Sequence, residues 1–232
     1  MIALMTITFV VCFVMGIPLA LVMGITGFAV ILAMGVPLQL VAQRMFTGID
    51  SFPLMAVPFF ILAGDLMNRG GTTVRIIGFA NSLVGHIRGG LAHACIVANM
   101  IFAGISGSAV ADASAIGSIM IPSMEKNGYD LDFSAALNSA AATIGPIIPP
   151  SIIMVIYGVS VNVSVGGLFA AGFIPGIMLG LAMMIVVSRV SRKKNYAMSE
   201  GFSGARVRKE LKSSVWALMA PVIILGGILG GV

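Results

Sequence analysis

Apolar positions along this chain fall into long stretches separated by short polar joints, and the joints predict its elements. Residues 1–43 carry no charged side chain, with interruptions at Gly16-Ile17-Pro18 and at Gly24 and Gly27. That length exceeds one bilayer span of about 20 residues, so two short tilted helices or one long bent helix are expected. The chain is apolar from its start, without a basic leader or a small-residue cleavage site, and so reads as a retained first span. Arg44–Ser51 is a polar connection. Phe52–Met67 is a shorter apolar segment, with Pro53 and Pro58 in its first half and Asp65 near its end, within reach of the interface. Asn68-Arg69-Gly70-Gly71 closes that helix. Over residues 72–88, Val74, Ile76, Ile77, Phe79, Ala80, Leu83 and Val84 recur at helical spacing between Arg75, Asn81, Ser82 and His86. This pattern predicts an amphipathic helix on the membrane surface, or an arm linking moving parts. Leu91–Pro122 is apolar again, Ser123–Asp132 is a polar loop, and Phe133–Ser188 is free of charge and divides at Ser160–Gly167 into spans 133–160 and 167–188. A basic linker, 189–212, leads into another apolar span, 213–232.

Composition settles the class. Hydrophobic residues make up 59% of the chain, charged residues 9%, and the mean hydropathy is +1.09, which excludes a soluble domain. Seventeen Met and 29 Gly suit a helical bundle with close backbone contacts better than a barrel. The expected fold is an all-α polytopic membrane protein. The net charge of +5 lies mostly in loops between spans, as it does on a cytoplasmic side, and is no nucleic-acid signal. Cys12 and Cys95, each in an apolar context without CxxC spacing, read as buried small hydrophobes.

Charge parity then assigns a topology to Leu91–Pro122. Arg69, Arg75 and Arg88 precede it, and eight basic residues lie in 189–212. If both groups face the cytoplasm, the number of crossings between them is even. The 133–188 region supplies two crossings, and 91–122 is too short to supply two more, so it enters and turns back as a re-entrant hairpin. The natural turn is Gly104–Ser108, where glycine permits the dihedrals and serine satisfies freed backbone groups.

Two stretches carry the chemistry. Gly104–Pro122 holds glycines at 104, 107 and 117, serines at 106, 108, 114 and 118, and Asp112, the only formally charged residue between Arg88 and Glu125. Polar backbone and an acid at membrane depth are tolerated where they line a cavity or a functional site. The second is Gly145-Pro146-Ile147-Ile148-Pro149-Pro150-Ser151, in the middle of a span. Three prolines so close together cannot sit in a regular helix, so two half-helices joined by an extended break are expected. The exposed carbonyls and amides at such half-helix ends bind cations and anions respectively.

These stretches also carry a resemblance. Phe102–Asp112, Gly128-Tyr129 and Gly145–Ser151 resemble the large membrane (M) subunit of tripartite ATP-independent periplasmic (TRAP) transporters. So do Pro58–Gly64, Met67–Gly71, Gly85–His93, Leu168–Gly172 and Pro175-Gly176. The resemblance implies the first of two inverted repeats (1–188) of an elevator-type transporter: scaffold spans 1–67, arm 72–88, re-entrant hairpin 91–122, proline-broken span 133–160 and span 167–188. A cytoplasmic linker 189–212 and the truncated start of a second repeat, 213–232, would follow. The family's usual length is about twice this one, which suggests a fragment, a truncated frame or a split protein.

The resemblance further implies sodium-coupled transport of an organic acid, such as a dicarboxylate, sialic acid or a related carboxylate, in the inner membrane. Expected partners are a small membrane subunit, a periplasmic substrate-binding protein and membrane lipids. Nucleic acid and cofactors are not expected, and Na+ is the coupling ion. Carried over by motif, Gly104, Ser106, Gly107, Ser108 and Asp112 of the hairpin and Gly145, Pro149, Pro150 and Ser151 of the break form the sodium and substrate site, with Ser106, Ser108 and Gly145 at the ion. Asp112 either ligates the ion or shapes the hairpin. Asn99, Asn138 and Thr143 are read as helix–helix hydrogen bonds, and His86 and His93 as interfacial or solvated. The basic cluster Arg189, Arg192, Lys193 and Lys194 reads as a topology anchor with some attraction for anionic lipid. Two alternatives are a passive channel or scaffold subunit, and an intramembrane serine protease built on Gly104-Ile105-Ser106-Gly107. The protease lacks a histidine after Ser106, and no enzyme is expected.

Overall fold

The computed structural model describes residues 1–50, 52–198 and 201–230; Ser51, positions 199–200 of the linker and the last two residues of the final span lie outside them. Among the described residues the chain forms eleven α-helices, divided between two compact units, Met1–Phe52 and Pro53–Val232.

The first unit holds α1 (Ile2–Val14), α2 (Leu19–Ala33) and α3 (Leu38–Ile49). It forms three short helices instead of one or two spans, because the chain carries one corner twice: Met15-Gly16-Ile17-Pro18-Leu19 and Met34-Gly35-Val36-Pro37-Leu38. In each corner the glycine is left-handed, at φ +75° and +66°. The residue after it donates back to the helix, Ile17 N–H to Cys12 O and Val36 N–H to Ile31 O, both at 3.3 Å. Such closure satisfies the last carbonyls of a helix, and the following proline caps the next one. Gly24 and Gly27 do not interrupt α2. A lone glycine weakens a helix by about 1 kcal/mol but removes no hydrogen bond. The expected polar connection from Arg44 is instead the second half of α3, whose Gln39, Gln43, Arg44 and Thr47 lie on one side.

The second unit contains α4 (Phe52–Arg69), α5 (Thr72–Val84), α6 (Gly90–Ser106), α7 (Ala109–Lys126), α8 (Leu131–Ala142), α9 (Ile152–Val161), α10 (Val165–Lys193) and α11 (Gly204–Gly230). Its centre is α6, which touches α5, α7, α8, α10 and α11. Ile96, Phe102 and Ile105 of α6 join Ile116, Met120 and Met124 of α7 and Ile144 in one buried core. The amphipathic α5 buries Thr73, Ile76 and Ala80. It packs on both α6 and α11, and Ser214 Oγ donates to Arg75 O at 3.0 Å. The basic stretch 189–212 is largely helical: α10 runs on through Lys193 and α11 begins at Gly204, since arginine, lysine, glutamate and leucine are all good helix formers. Helices Val165–Lys193 and Gly204–Gly227 are long and apolar enough to cross a bilayer.

Helices α6 and α7 form a helical hairpin joined by only Gly107-Ser108. α10 runs beside it. A side chain at Gly180 would meet Met100, the ring of His93 contacts Ser188 Oγ at 3.0 Å, and a side chain at Gly89 would meet Ser191. Further along α10, Gly176 and Gly172 face Ile148 and Ile147 of the helix break. The break between α8 and α9 spans residues 143–151. It is not simply extended: through Ile148 it folds into successive turns, with Gly145 N–H donating to Ala142 O at 2.9 Å and Ile148 N–H to Ile144 O at 3.0 Å. Pro146 sits within these turns, between the donors Gly145 and Ile147, and Pro149 and Pro150 follow them. The Pro149–Pro150 bond is cis.

Candidate functional site

The hairpin tip rests directly on the break. Gly107 ends α6 in the left-handed region, at φ +59°. A Cβ there would lie 3.1 Å from Ile152 N and from Ser151 Cα, and harder still against Pro150 O. Gly104, one turn earlier, faces Pro149 O at 3.6 Å and Pro221 Cβ of α11 at 3.1 Å, measured the same way. Glycine at 107 lets two backbones approach where any side chain would hold them apart, and glycine at 104 leaves room for the Pro221 ring.

Two serines start the helices that leave this junction. Ser108 is extended and caps α7, its Oγ accepting from Ala111 N–H at 3.5 Å. Ser151, fully buried and also extended, caps α9, its Oγ accepting from Met154 N–H at 3.2 Å. Both side-chain caps satisfy orphan amides of a first turn. The remaining free amides give each helix start a partial positive charge.

Asp112 lies at the centre, fully buried in the first turn of α7. Ser106 Oγ donates to its Oδ1, and Ser106 Oγ accepts from Ser108 N–H at 3.1 Å. No donor among the described residues reaches Oδ2. That oxygen lies over Gly145, where a Cβ would collide with it and would sit 3.3 Å from Ala109 N. The nine nominated residues, Gly104, Ser106, Gly107, Ser108, Asp112, Gly145, Pro149, Pro150 and Ser151, thus meet at one junction. It offers hard oxygen donors, namely a carboxylate, the Ser106 hydroxyl and the carbonyls of Ser108, Pro149 and Pro150. Such donors suit a hard cation, and the two helix starts suit an anion. The hydroxyls of Ser108 and Ser151 are engaged in capping.

A cleft of about 520 Å³ opens onto this junction between α4 and the hairpin, lined by Phe60, Gly64, Asp65 and Asn68 on one side and by Ser106, Ser108, Ala111 and Ser114 on the other. Gly64 brings α4 close, since a Cβ there would touch Ser106 Cα at 3.7 Å. Gly64, Asn68 and Ser114 fall within the sequence motifs above but are not among the residues expected at the site. The glycine of Ala63-Gly64-Asp65, inside an otherwise bulky helix, was the available signal.

Other polar residues separate from the site. Asn99 Nδ2 donates to Cys95 O at 2.9 Å and lies 3.5 Å from Asn138 Oδ1, while Asn138 Nδ2 reaches Ala113 O at 2.9 Å, which ties α6, α7 and α8 together. The Thr143 hydroxyl, at the end of α8, donates to Ala140 O at 2.7 Å and makes no bond to another helix among the described residues. His93 is not solvated. It is buried, with Nδ1 3.0 Å from Gly89 O and Nε2 3.0 Å from Ser188 Oγ. The carbonyl can only accept, so Nδ1 carries the proton in that bond. Roughly 20 Å of helix separates His93 from Ser106, so it cannot serve that serine as a base. Cys12 and Cys95 are buried and free.

A helical hairpin and a broken helix meeting end to end, with polar groups gathered at the junction, are consistent with a helical membrane transporter of the broken-helix kind. The comparisons narrow this. The model of the tripartite ATP-independent periplasmic transporter DctM component matches residues 6–232, and the chain belongs to that family. It is 46% identical over 201 residues to the sialic acid TRAP transporter large permease protein SiaM of Vibrio cholerae, covering 87% of this chain and 47% of that protein. It is 46% identical over 189 residues to the sialic acid TRAP transporter permease protein SiaT of Haemophilus influenzae, covering 82% and 31%. The C4-dicarboxylate TRAP transporter large permease protein DctM of Vibrio cholerae is 42% identical over 233 residues, covering 100% and 51%. The chain therefore spans about half the length of the large permeases it matches.

Proposed function

We propose that this chain forms the first repeat of a TRAP transporter large permease and the start of the second, and that its hairpin–break junction is one side of a site for Na+ and an organic carboxylate. The observation that carries the reading is the seating of the Gly107 tip on Pro150–Ile152, with the buried Asp112 carboxylate beside it. Residues 89–124 contain no formal charge except Asp112, and 133–188 contain none. A buried carboxylate without a basic partner is costly in low dielectric, and a bound cation offsets that cost. Asp112, Ser106 and the carbonyls at the tip and the break would hold Na+. The starts of α7 and α9 would face the carboxylate of the solute, so cation and anion stabilise each other and travel together. Ser108 and Ser151 act on the ligands through the helix starts they cap.

In this reading the hairpin is re-entrant, the repeat is paired with an inverted second one, and the core moves solute across the inner membrane by an elevator-like displacement. A small membrane subunit braces it, and a periplasmic binding protein delivers a dicarboxylate, a sialic acid or a related acid. The relatives named for sialic acid and for C4-dicarboxylates support that solute class. The test is uptake by the complete permease complex in proteoliposomes, with and without an inward sodium gradient. Uptake should require the gradient; equal rates would overturn the mechanism.

A further inference from the structure

Opposite the tip, a short strap, Lys194–Met198, follows α10 and touches the start of α6 and the joint between α7 and α8. Left-handed Asn195, at φ +54°, turns the chain back, and Tyr196 N–H donates to Ser191 O at 3.0 Å. The strap grips the start of α6: Gly89 N–H donates to Ala197 O at 3.2 Å, and Met198 forms an antiparallel bridge with Arg88. It also grips the joint between α7 and α8. Lys194 Nζ reaches Asp130 Oδ2 at 2.7 Å, and the Tyr196 hydroxyl donates to the same oxygen at 2.9 Å while accepting from Asp130 N–H at 3.4 Å. The Tyr196 ring stacks on Tyr129 with centroids 4.1 Å apart and leans on Phe133 at 5.6 Å. Tyr129 and Tyr196 are both buried.

Two helices joined by a two-residue tip are free to splay at their other end. Here both open ends are fastened to one strap, and the strap is continuous with α10. We propose that Lys194–Met198 is a clasp that stays closed throughout transport and positions the hairpin tip, with Tyr196 and Asp130 as its positioning residues. An isolated exposed ion pair holds little, but this one sits above stacked aromatic rings and beside a backbone bridge, so the contacts support one another. Any movement of α10 is then passed to α6 and α7 together, and opening of the site is left to the tip.

The experiment uses the complete complex, its native cysteines replaced, with Arg88→Cys and Met198→Cys. Residues paired in an antiparallel bridge lie about 4.5–5.5 Å apart at Cα, within disulfide reach. With the disulfide formed, uptake should keep more than half the rate of the reduced protein. A fall below half that returns on reduction would show that the clasp must open, and would overturn the proposal. Independently of transport, Tyr196→Ala should raise hydrogen exchange at Gly89 and in the first turn of α6 by roughly tenfold, with Tyr196→Phe nearer the native rate because it keeps the ring. Unchanged exchange in Tyr196→Ala would overturn the clasp as well. The transport arm rests on the proposed sodium-coupled function. If native uptake proves independent of sodium, that reading fails while the exchange measurement still judges the clasp.

Discussion

Two aspartates bracket α7 and are treated in opposite ways. Asp130, beyond its C-terminal end, is exposed, and its carboxylate is bonded by Lys194 and Tyr196. Those two groups hold its carboxyl below the usual carboxylate range, and Asp130 in turn raises Lys194. Asp112, in the first turn, is fully buried, bonded at one oxygen by Ser106 and at the other by no donor among the described residues. A carboxylate whose bonds are complete in the folded chain has a structural role. One whose bonding is incomplete, in a place where an unmet charge is expensive, is set to receive something.

The contrast breaks first at transport. Asp112→Ala should reduce sodium-driven uptake by about 100-fold or more, the scale of removing one partner from a buried ionic contact, while Asp130→Ala should cost only a few-fold. Initial-rate uptake at saturating solute measures both, and similar losses in the two variants would erase the distinction. Next in size is the seating of the tip. Gly107→Ala puts a Cβ at positive φ and against Pro150 O, and should destabilise the complex by about 2 kcal/mol or more. Thermal unfolding in detergent reads this, and a native melting temperature would show that the tip is not seated as described.

A smaller effect sharpens the Asp130 side. Because its folded pKa is depressed, Asp130 stabilises the strap above the ordinary carboxylate value of about 4, and this support is lost as pH falls through the depressed value. Lys194, whose folded pKa is raised, lends its support below the ordinary lysine value of about 10 and loses it as pH climbs higher. The near-ultraviolet circular dichroism of the stacked tyrosines should therefore hold between those limits and fade outside them, and Asp130→Asn should remove the acid limb. Persistence of that limb would assign it elsewhere. Smallest of all, Asp65 pairs with Arg69 at 2.9 Å in the open. Asp65→Ala should change stability by no more than about 0.5 kcal/mol in the same melting assay.

The hairpin and the break were legible because their signals are exclusions. Three prolines forbid a helix through 146–150, and Gly104–Ser108 is too small and polar to face lipid. That the two meet also followed from motif, whereas the closeness depends on absent side chains at Gly104, Gly107 and Gly145, whose partners lie far off in sequence. The first 50 residues were read less well. They carry no charge before Arg44 to mark sides, and the second Met-Gly-X-Pro-Leu corner, at 34–38, looked like more of the same apolar run. His93 misled because a histidine three residues after Gly89-Gly90 resembles a loop residue. Only the packing of α10 brings Ser188 to it. The strap was unreadable for the same reason, since its partners at 88–89 and 129–133 are brought to it by the return of α10.

Gly172, Gly176 and Gly180 place three bare backbone positions, one helical turn apart, along the side of α10 that meets Ile147, Ile148 and Met100. Every single-base change of a glycine codon that yields another amino acid adds at least a Cβ. At these positions inheritance has no small step to offer, and natural variation in this protein would have to accumulate on the lipid-facing sides of α10 while this line stays bare.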